Sequence, residues 1–500
     1  MAYVRTVRTA SGATAVQIVH SSRRGSRDVE HIGSAHDDAE LAVLKAAAQQ
    51  RLVEGQGVLE LDLEAAAGSG PLEITSSRMS HLWQALCRAY DTLGFAEATG
   101  HDDVFRHLVL ARIIEPTSKL DSLRVLAETG IESVSYRTLT RHLPGYARTQ
   151  WRDRLAAACA RHAALGPASL VLYDVSTLYF ETDAGDGFRE PGYSKERRLE
   201  PQITVGLLTD ATGFPLALQA FEGNRAETAT MLPTIEGFMT AHRLREVTVV
   251  ADAGMVSEKN RKAIEAAGLS FILGMKIPDI PWIVSDWRKK HPGVAFSDGQ
   301  IFTQPWPAAN ETRRDQVIYY QYRADRARRT LRGIDEQVTK AEKAVAGKIP
   351  VKRNRFITIA GAIKTVNREL EAKARGLAGL KGYITNIDNP SAEFVIGAYH
   401  QLWHIEKSFR MSKHDLRARP IYHHKRESID AHLAVVFAAL AVTRLIEART
   451  SWSIRKFVQT ARRYRTIEIR AGQHTLTAED PLPDDLRDAL ASITRPPTAH

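Results

Sequence analysis

Hydrophobic and polar positions change their period three times along this chain. Over residues 1–36 they alternate in two short runs, AVQIVH and DVEHIG, separated by SSRRGSR, which predicts a small β-hairpin element with a basic tip. From Asp37 to Glu54 the period becomes helical, and SHLWQALCRAYDTLG (Ser80–Gly94) repeats it with Gly94 as a stop. Several short helices follow between His101 and Ala164. Among them, Ser135 is placed to cap a helix from Tyr136 to Leu143 that Pro144-Gly145 ends. The preceding Gly130 marks a turn, a spacing compatible with a helix-turn-helix pair reading DNA through Arg137, Thr140 and Arg141; a plain packing pair is the alternative.

From Ala168 the texture is that of strands. Three apolar runs, SLVLYDVSTLYFE, PQITVGLLTD and FPLALQAFEGN, precede a helical TATMLPTIEGFMTAHRL. A fourth run, VTVVADAG, a helix from Ser257 to Ala267 and a fifth run, SFILGM, complete a β-β-β-α-β-α-β order. That order resembles an RNase H-like fold, although element order alone permits other α/β folds. Asp174 interrupts the first apolar run and Asp252 ends the fourth. An acid inside an apolar strand implies a cation or a hydrogen-bonding role, because burying an unpaired carboxylate is costly.

A third acid stands far downstream, in GAYHQLWHIEKSFRMSKHDLRARP (Gly397–Pro420). Read as a helix, this stretch lines up Tyr399, Leu402, Trp403, Glu406, Arg410 and Lys413 on one side. Lys407 is Glu406's neighbour, so the carboxylate sits in a positive field suited to a phosphate backbone. Between about Ile277 and Tyr383 lies an insertion with Trp282, Trp287 and Trp306, a β-like QVIYYQYR, a charged helical run from Arg323 to Ala346 and the basic KIPVKRNRF. It reads as a separate basic lobe whose tryptophans are either base-stacking groups or core aromatics. ESIDAHLAVVFAALAVTRLIEA is a structural helix that packs under the sheet.

The expected architecture is therefore α/β. A small β-hairpin element (1–36) and an α-helical, DNA-end-binding region (37–165) precede an RNase H-like catalytic domain in two parts (166–276 and 386–450). These flank a large insertion domain (277–385), and a polar C-terminal tail follows (451–500).

Composition narrows the partners. With 44% hydrophobic and 25% charged residues the chain can bury a core, and its net charge of +10 is spread along the sequence, which favours a folded surface facing a polyanion. Cys87 and Cys159 lie far apart in apolar settings and form no metal knuckle, as expected of core thiols in a reducing cytoplasm. No apolar signal segment or membrane-spanning window is read, so a cytoplasmic, nucleoid-associated protein is expected. His414, His423, His424 and His432 lack companion cysteines and neighbour basic residues, so they read as surface or phosphate-facing groups rather than a metal site.

These motifs together resemble the DDE transposases of bacterial insertion sequences, in the group marked by a Tyr-Arg-Glu-Lys signature around the third acid and a β-rich insertion before it. Tyr399, Glu406 and Lys413 match that signature; its arginine falls on Leu402, with His404, Lys407 or Arg410 as replacements. YDVSTLYF, FEGNRAETATM, VADAGM and GYITN are likewise similar. The resemblance implies that Asp174, Asp252 and Glu406 are catalytic and hold two Mg²⁺ ions, with Mn²⁺ as a substitute, Asp174 bridging both. Tyr399 and Lys413 would contact phosphate. It further implies a dimer on double-stranded terminal inverted repeats and target DNA, performing cleavage and strand transfer. Two alternatives remain open: a structure-selective nuclease with the same triad, and an inactive transposase serving as a DNA-binding regulator.

Overall fold

A computed structural model describes residues 2–9, 13–21, 27–53, 72–166, 169–182, 184–192, 199–226, 229–242, 244, 247–253, 258–307, 315–350, 352–360, 363–471 and 473–494. The chain divides into two compact units, Met1–Pro71 and Leu72–His500. The first holds three antiparallel strands, β1 (Ala2–Arg8), β2 (Thr14–Ser21) and β3 (Arg27–Ala35), and a helix, α1 (Asp38–Val53). Val16 and Ile18 alternate inward from β2 and meet Ala48 of α1 in a small core. The expected hairpin is β2–β3, with β1 added on its other edge; residues 22–26 of its basic tip lie outside the described residues.

The second unit opens with β4 (Glu73–Arg78) and six helices: α2 (Ser80–Thr92), α3 (Phe95–Ala98), α4 (Asp103–Ile114), α5 (Ser122–Glu128), α6 (Tyr136–Tyr146) and α7 (Thr149–Ala163). Asp102 caps α4, accepting 2.8 Å bonds from Phe105 N and from the buried Tyr146 hydroxyl. Ser135 caps α6 through Thr138 N at 3.2 Å, as its position predicts. The helix does not end at Leu143, however. It runs through Pro144 to Tyr146, where the buried Tyr146 ring packs edge-on against Phe105, 5.0 Å between centroids, and anchors the last turn. The α5–α6 connection, Thr129 to Ser135, is also longer than the 3–4-residue turn of a helix-turn-helix.

Eight strands form the central sheet, in the order β10-β11-β14-β9-β8-β5-β6-β7. They are β5 (Ser169–Tyr179), β6 (Gln202–Asp210), β7 (Pro215–Glu222), β8 (Val247–Ala251), β9 (Ser270–Met275), β10 (Ile301–Trp306), β11 (Gln316–Tyr322) and β14 (Leu380–Thr385). β5, β8 and β9 are parallel neighbours, and every other pair is antiparallel. Helices α8 (Met231–His242) and α9 (Glu258–Ala266) connect β7 to β8 and β8 to β9.

The insertion therefore does not stand apart as a lobe, because β10, β11 and β14 extend the sheet beyond β9, Tyr383 lying opposite Gly274. Only its outer part, the charged helix α11 (Ala324–Val345), the hairpin β12 (Ile357–Ala360) and β13 (Ile363–Val366), and α12 (Arg368–Gly376), has its own small core around Ile334, Val338, Ala341 and Phe356. Trp287, on α10 (Trp282–Lys290), packs among Phe296, Phe302 and His291, whereas Trp282 and Trp306 are exposed.

The apolar helix α15 (Arg426–Thr450) is long and apolar enough to cross a membrane, a window the sequence reading did not find. It lies buried inside the fold. The described residues after 450 form elements of their own rather than a plain polar tail. α16 (Ile454–Ala461), β15 (Thr466–Ala471), β16 (His474–Glu479) and α17 (Asp484–Thr494) fold back, and β15 pairs with both β16 and β4. Cys159 is buried and Cys87 half-buried, both as free thiols.

Candidate active site

β5 and β8 run parallel with Leu172 opposite Val250. Two residues further along each chain come Asp174, within β5, and Asp252, the first residue beyond β8. Continued over those two steps, the register sets the acids side by side on neighbouring strands, whose backbones run about 5 Å apart. Asp174 is half-buried and Asp252 exposed. β8 itself is buried at every position, so the apolar run drives the strand inward and delivers its polar end residue to the rim. Residues 254–255 of the VADAGM motif and 227–228 of FEGNRAETATM lie outside the described residues.

The hydroxyl of Tyr399 donates to Asp252 Oδ1. Tyr399 is buried at the end of a helix, α13 (Ala392–His400), whose Ser391 cap accepts from Phe394 N at 3.1 Å. Its ring packs edge-on to Tyr383 at 5.0 Å, and burial first, then the Asp252 bond, push its hydroxyl pKa up. Gly274 on β9 makes room for it: a Cβ there would sit 2.6 Å from the Tyr399 hydroxyl oxygen and 3.0 Å from Ala253 N.

A cation completes this cluster. Lys381 of β14 holds its ammonium 4.2 Å from the centre of the Tyr399 ring. Burial lowers its pKa, Arg326 adds to that, and the charges of Asp252 and Glu406 oppose it. Sequence reasoning missed Lys381; the one signal was the lysine opening KGYITNI.

Glu406 projects, exposed, from a second helix, α14 (Leu402–Arg410), which packs on β5. The third-acid segment is not one continuous helix. It breaks at Gln401 between α13 and α14, and after Arg410 it loosens into a π-helical turn, Met411–Asp415, that carries Lys413. The regular helix expected to align Tyr399, Glu406 and Lys413 is thus interrupted at Gln401 and again at the π-helical turn, although the backbone stays right-handed through both. Leu402 is buried in the main core, where a charged side chain would be costly, so this position makes no phosphate contact.

The other expected phosphate contacts divide by helix face. Arg410 is exposed one turn beyond Glu406. His404 stands about 200° round α14 from Glu406 and lines a hollow with Asp210, Thr212 and Arg444. Lys407 lines the same hollow, its ammonium 2.7 Å from the Glu447 carboxylate of α15. Lys413 lines a different cleft, beside Arg417 and Arg419. Arg137 and Arg141 are exposed on α6.

Among the described residues no three His, Cys, Asp or Glu side chains gather around a single point that could hold an ion. Asp174, Asp252 and Glu406 nevertheless offer only carboxylate oxygens, the donors that hard divalent cations take, and two ions sharing them pairwise need two acids each. Asp252 keeps Oδ2 clear of the Tyr399 bond. The donor set fits such ions.

Acids on adjacent strands beneath a helix bearing a third suit metal-assisted phosphoryl transfer in an α/β protein. The family model for the transposase DDE domain matches residues 165–442, more than half of the chain, and the chain belongs to that family of polynucleotidyl transferases. No curated protein matches it. One solved structure similar to it is a piggyBac transposase synaptic complex with hairpin DNA, at a TM-score of 0.40 and 11% identity, covering 75% of this chain and 70% of that one.

Proposed function

We propose that this protein is an insertion-sequence transposase that binds the terminal inverted repeats of its element, cleaves the strand at each end and joins it to target DNA. The observation supporting this reading is the parallel β5–β8 register, Leu172 opposite Val250, with Asp174 and Asp252 each two residues further on, within a chain of the DDE transposase family. The five strands β7-β6-β5-β8-β9 form the RNase H-like part of the sheet, supported by their order and by β6, which is antiparallel to both of its neighbours, β5 and β7.

Asp174, Asp252 and Glu406 would hold the divalent ions, Mg²⁺ or Mn²⁺, that this chemistry uses. When bound, such ions activate the attacking oxygen and stabilise the leaving one. The chain's own residues do the rest. Tyr399 fixes the Asp252 carboxylate through one oxygen, which preorganises the other. Lys381 offsets negative charge where carboxylates and a phosphate meet. Arg410 and Lys413 meet the backbone of the bound strand. The net charge of +10 supports double-stranded DNA as partner and a nucleoid-associated, cytoplasmic location. The protein works as a homodimer on paired ends.

The test uses a labelled duplex carrying the sequence that flanks the gene. Wild type should cut and join it only with Mg²⁺ or Mn²⁺, while Asp174→Asn, Asp252→Asn and Glu406→Gln should bind without cutting. Full activity in any of these three would remove that acid from the site.

A further inference from the structure

A cleft of about 930 Å³ opens between the helical region and the stretch that follows the third acid. Six cationic side chains line it, Arg112, Lys119, Lys413, Arg417, Arg419 and Lys425, against one carboxylate among the described lining residues, Glu427. Arg112 gives its guanidinium to backbone carbonyls, Leu416 O at 3.0 Å and Arg417 O and Thr117 O at 3.3 Å, and so ties the two walls together.

Lys119 reaches inward to His423 Nε2. When Lys119 is protonated its ammonium donates and the His423 nitrogen accepts. The His423 ring lies 5.7 Å from that of His432, whose Nε2 faces Ala418 O at 3.1 Å. Burial lowers the pKa of Lys119 to about 7, with Arg112 adding to it. Lys119, Arg417 and Lys425 form no ion pair with any described residue. Gathering six cations around a cleft with a single described carboxylate destabilises a fold unless a polyanion supplies opposing charge.

The shape favours a nucleic-acid strand over a free anion. Leu120, Tyr136 and Tyr422 line the same cleft and are 59%, 45% and 68% exposed, apolar faces that a bare phosphate would not use but a sugar or base would. The cleft wall also touches the strand that carries Asp174: Ile421 donates its N–H to Tyr179 O at 3.1 Å, at the end of β5, roughly 17 Å along the strand from the acid.

We propose that this cleft seats the sugar-phosphate backbone of the DNA strand next to the reacting phosphodiester, with Lys119, Arg417 and Lys425 as phosphate contacts and Tyr136 and Tyr422 against sugar or base. The inference rests on the transposase reading above.

Equilibrium binding of the gene-flanking duplex, without metal and across a salt series, tests it in the full-length protein. Lys119→Gln, Arg417→Gln and Lys425→Gln should each bind several-fold more weakly, and the slope of log Kd against log salt should fall by about 0.9 per contact removed. In wild type, saturating duplex should slow acetylation of Lys119 and Lys425 relative to Lys289 on α10, a readout that does not depend on any variant folding. Unchanged slopes with unprotected lysines overturn the proposal, as does protection by an RNA of the same sequence but not by the duplex. Metal-dependent cleavage by wild type is scored in parallel. Cleavage with a negative cleft result sinks the cleft alone, whereas protected lysines without cleavage sink the catalytic reading and leave the cleft standing.

Discussion

Tyr399 and Asp252, 147 residues apart in sequence, are joined by a hydrogen bond from the phenol to the carboxylate. Gly274 gives the ring its space, so the three residues act as one device. A hydrogen bond to a charged acceptor contributes about 1.5–3 kcal/mol when shielded, and less here because Asp252 is exposed. Tyr399→Phe should therefore slow cleavage about tenfold and raise the Mg²⁺ concentration needed for half-maximal rate. Gly274→Ala should do the same or worse by displacing the ring, and the double variant should be no slower than the worse single one. Additive losses in that cycle would show that Gly274 and Tyr399 act independently.

Lys381 should produce the opposite metal response. Its ammonium shares the Asp252–Glu406 field with any bound cation, so Lys381→Met removes a competitor as well as a phosphate partner. Half-maximal Mg²⁺ should fall severalfold while the saturated cleavage rate drops about tenfold, and Lys381→Arg should recover part of the rate. A rate unchanged in Lys381→Met would assign the lysine to packing against Tyr399 alone.

What the sequence disclosed was local. Asp174 inside β5, Asp252 at the end of β8 and the Ser135 cap follow from apolar runs and capping chemistry within a few residues. Lys381 was not legible because it reaches Tyr399 through pairings of β14 with β9 and β11, both of which precede it in the chain by more than 50 residues. For the same reason the insertion read as a separate lobe, since nothing in its own pattern says which sheet edge it will join. Helical spacing does put Glu406 and Lys407 on different faces, but only the Glu447 carboxylate of α15 shows that the lysine's face is the inner one. The hairpin β15–β16 was within reach: TIEIRAGQHTLTAE alternates on both sides of a glycine, and its polar composition masked that pattern.

Two histidines, the buried His432 and the half-buried His423, set an acid limit to stability. Burial, followed by the nearby charges of Lys119 and Arg112, lowers the pKa of His423 to about 4, and the fully buried His432 is lowered by the same kinds of cause. Between about pH 6.5 and 4 the unfolded chain binds protons that the folded chain refuses, so stability falls as pH falls through that window. His423→Gln should flatten the fall, recovering roughly 1 °C of melting temperature at the acid end for each kcal/mol restored in a chain of this size. Lys119 acts in the same direction at higher pH. Its folded pKa of about 7 lies below the unfolded value of 10.5, so its contribution to stability rises with pH between them. Melting curves from pH 4 to 9 for wild type, His423→Gln and Lys119→Met check both limbs; superimposable profiles would mean that neither group titrates across folding.

Lys407 separates structural charge from DNA-facing charge on the third-acid helix. Its ammonium lies 2.7 Å from Glu447, whose carboxylate also accepts from Ile454 N at 3.1 Å and faces Arg444 at 3.6 Å. Glu447 is only 9% exposed at its side chain, so removing it strands two cations and leaves the Ile454 N–H without its partner. Glu447→Ala should destabilise the protein by about 2–4 kcal/mol, the lower end reflecting the partial exposure of Lys407. Lys407→Ala should cost about 1 kcal/mol, because Arg444 still faces the acid. Neither change removes a phosphate contact, so the salt dependence of duplex binding should keep its wild-type slope in folded Lys407→Ala. Arg410→Ala, on the exposed side, should keep the wild-type melting temperature and lose about 0.9 from that slope. If Lys407→Ala lost the slope and kept its stability, the lysine would have to leave Glu447 when DNA binds, and α14 would turn in the complex to bring its inner face to the phosphates.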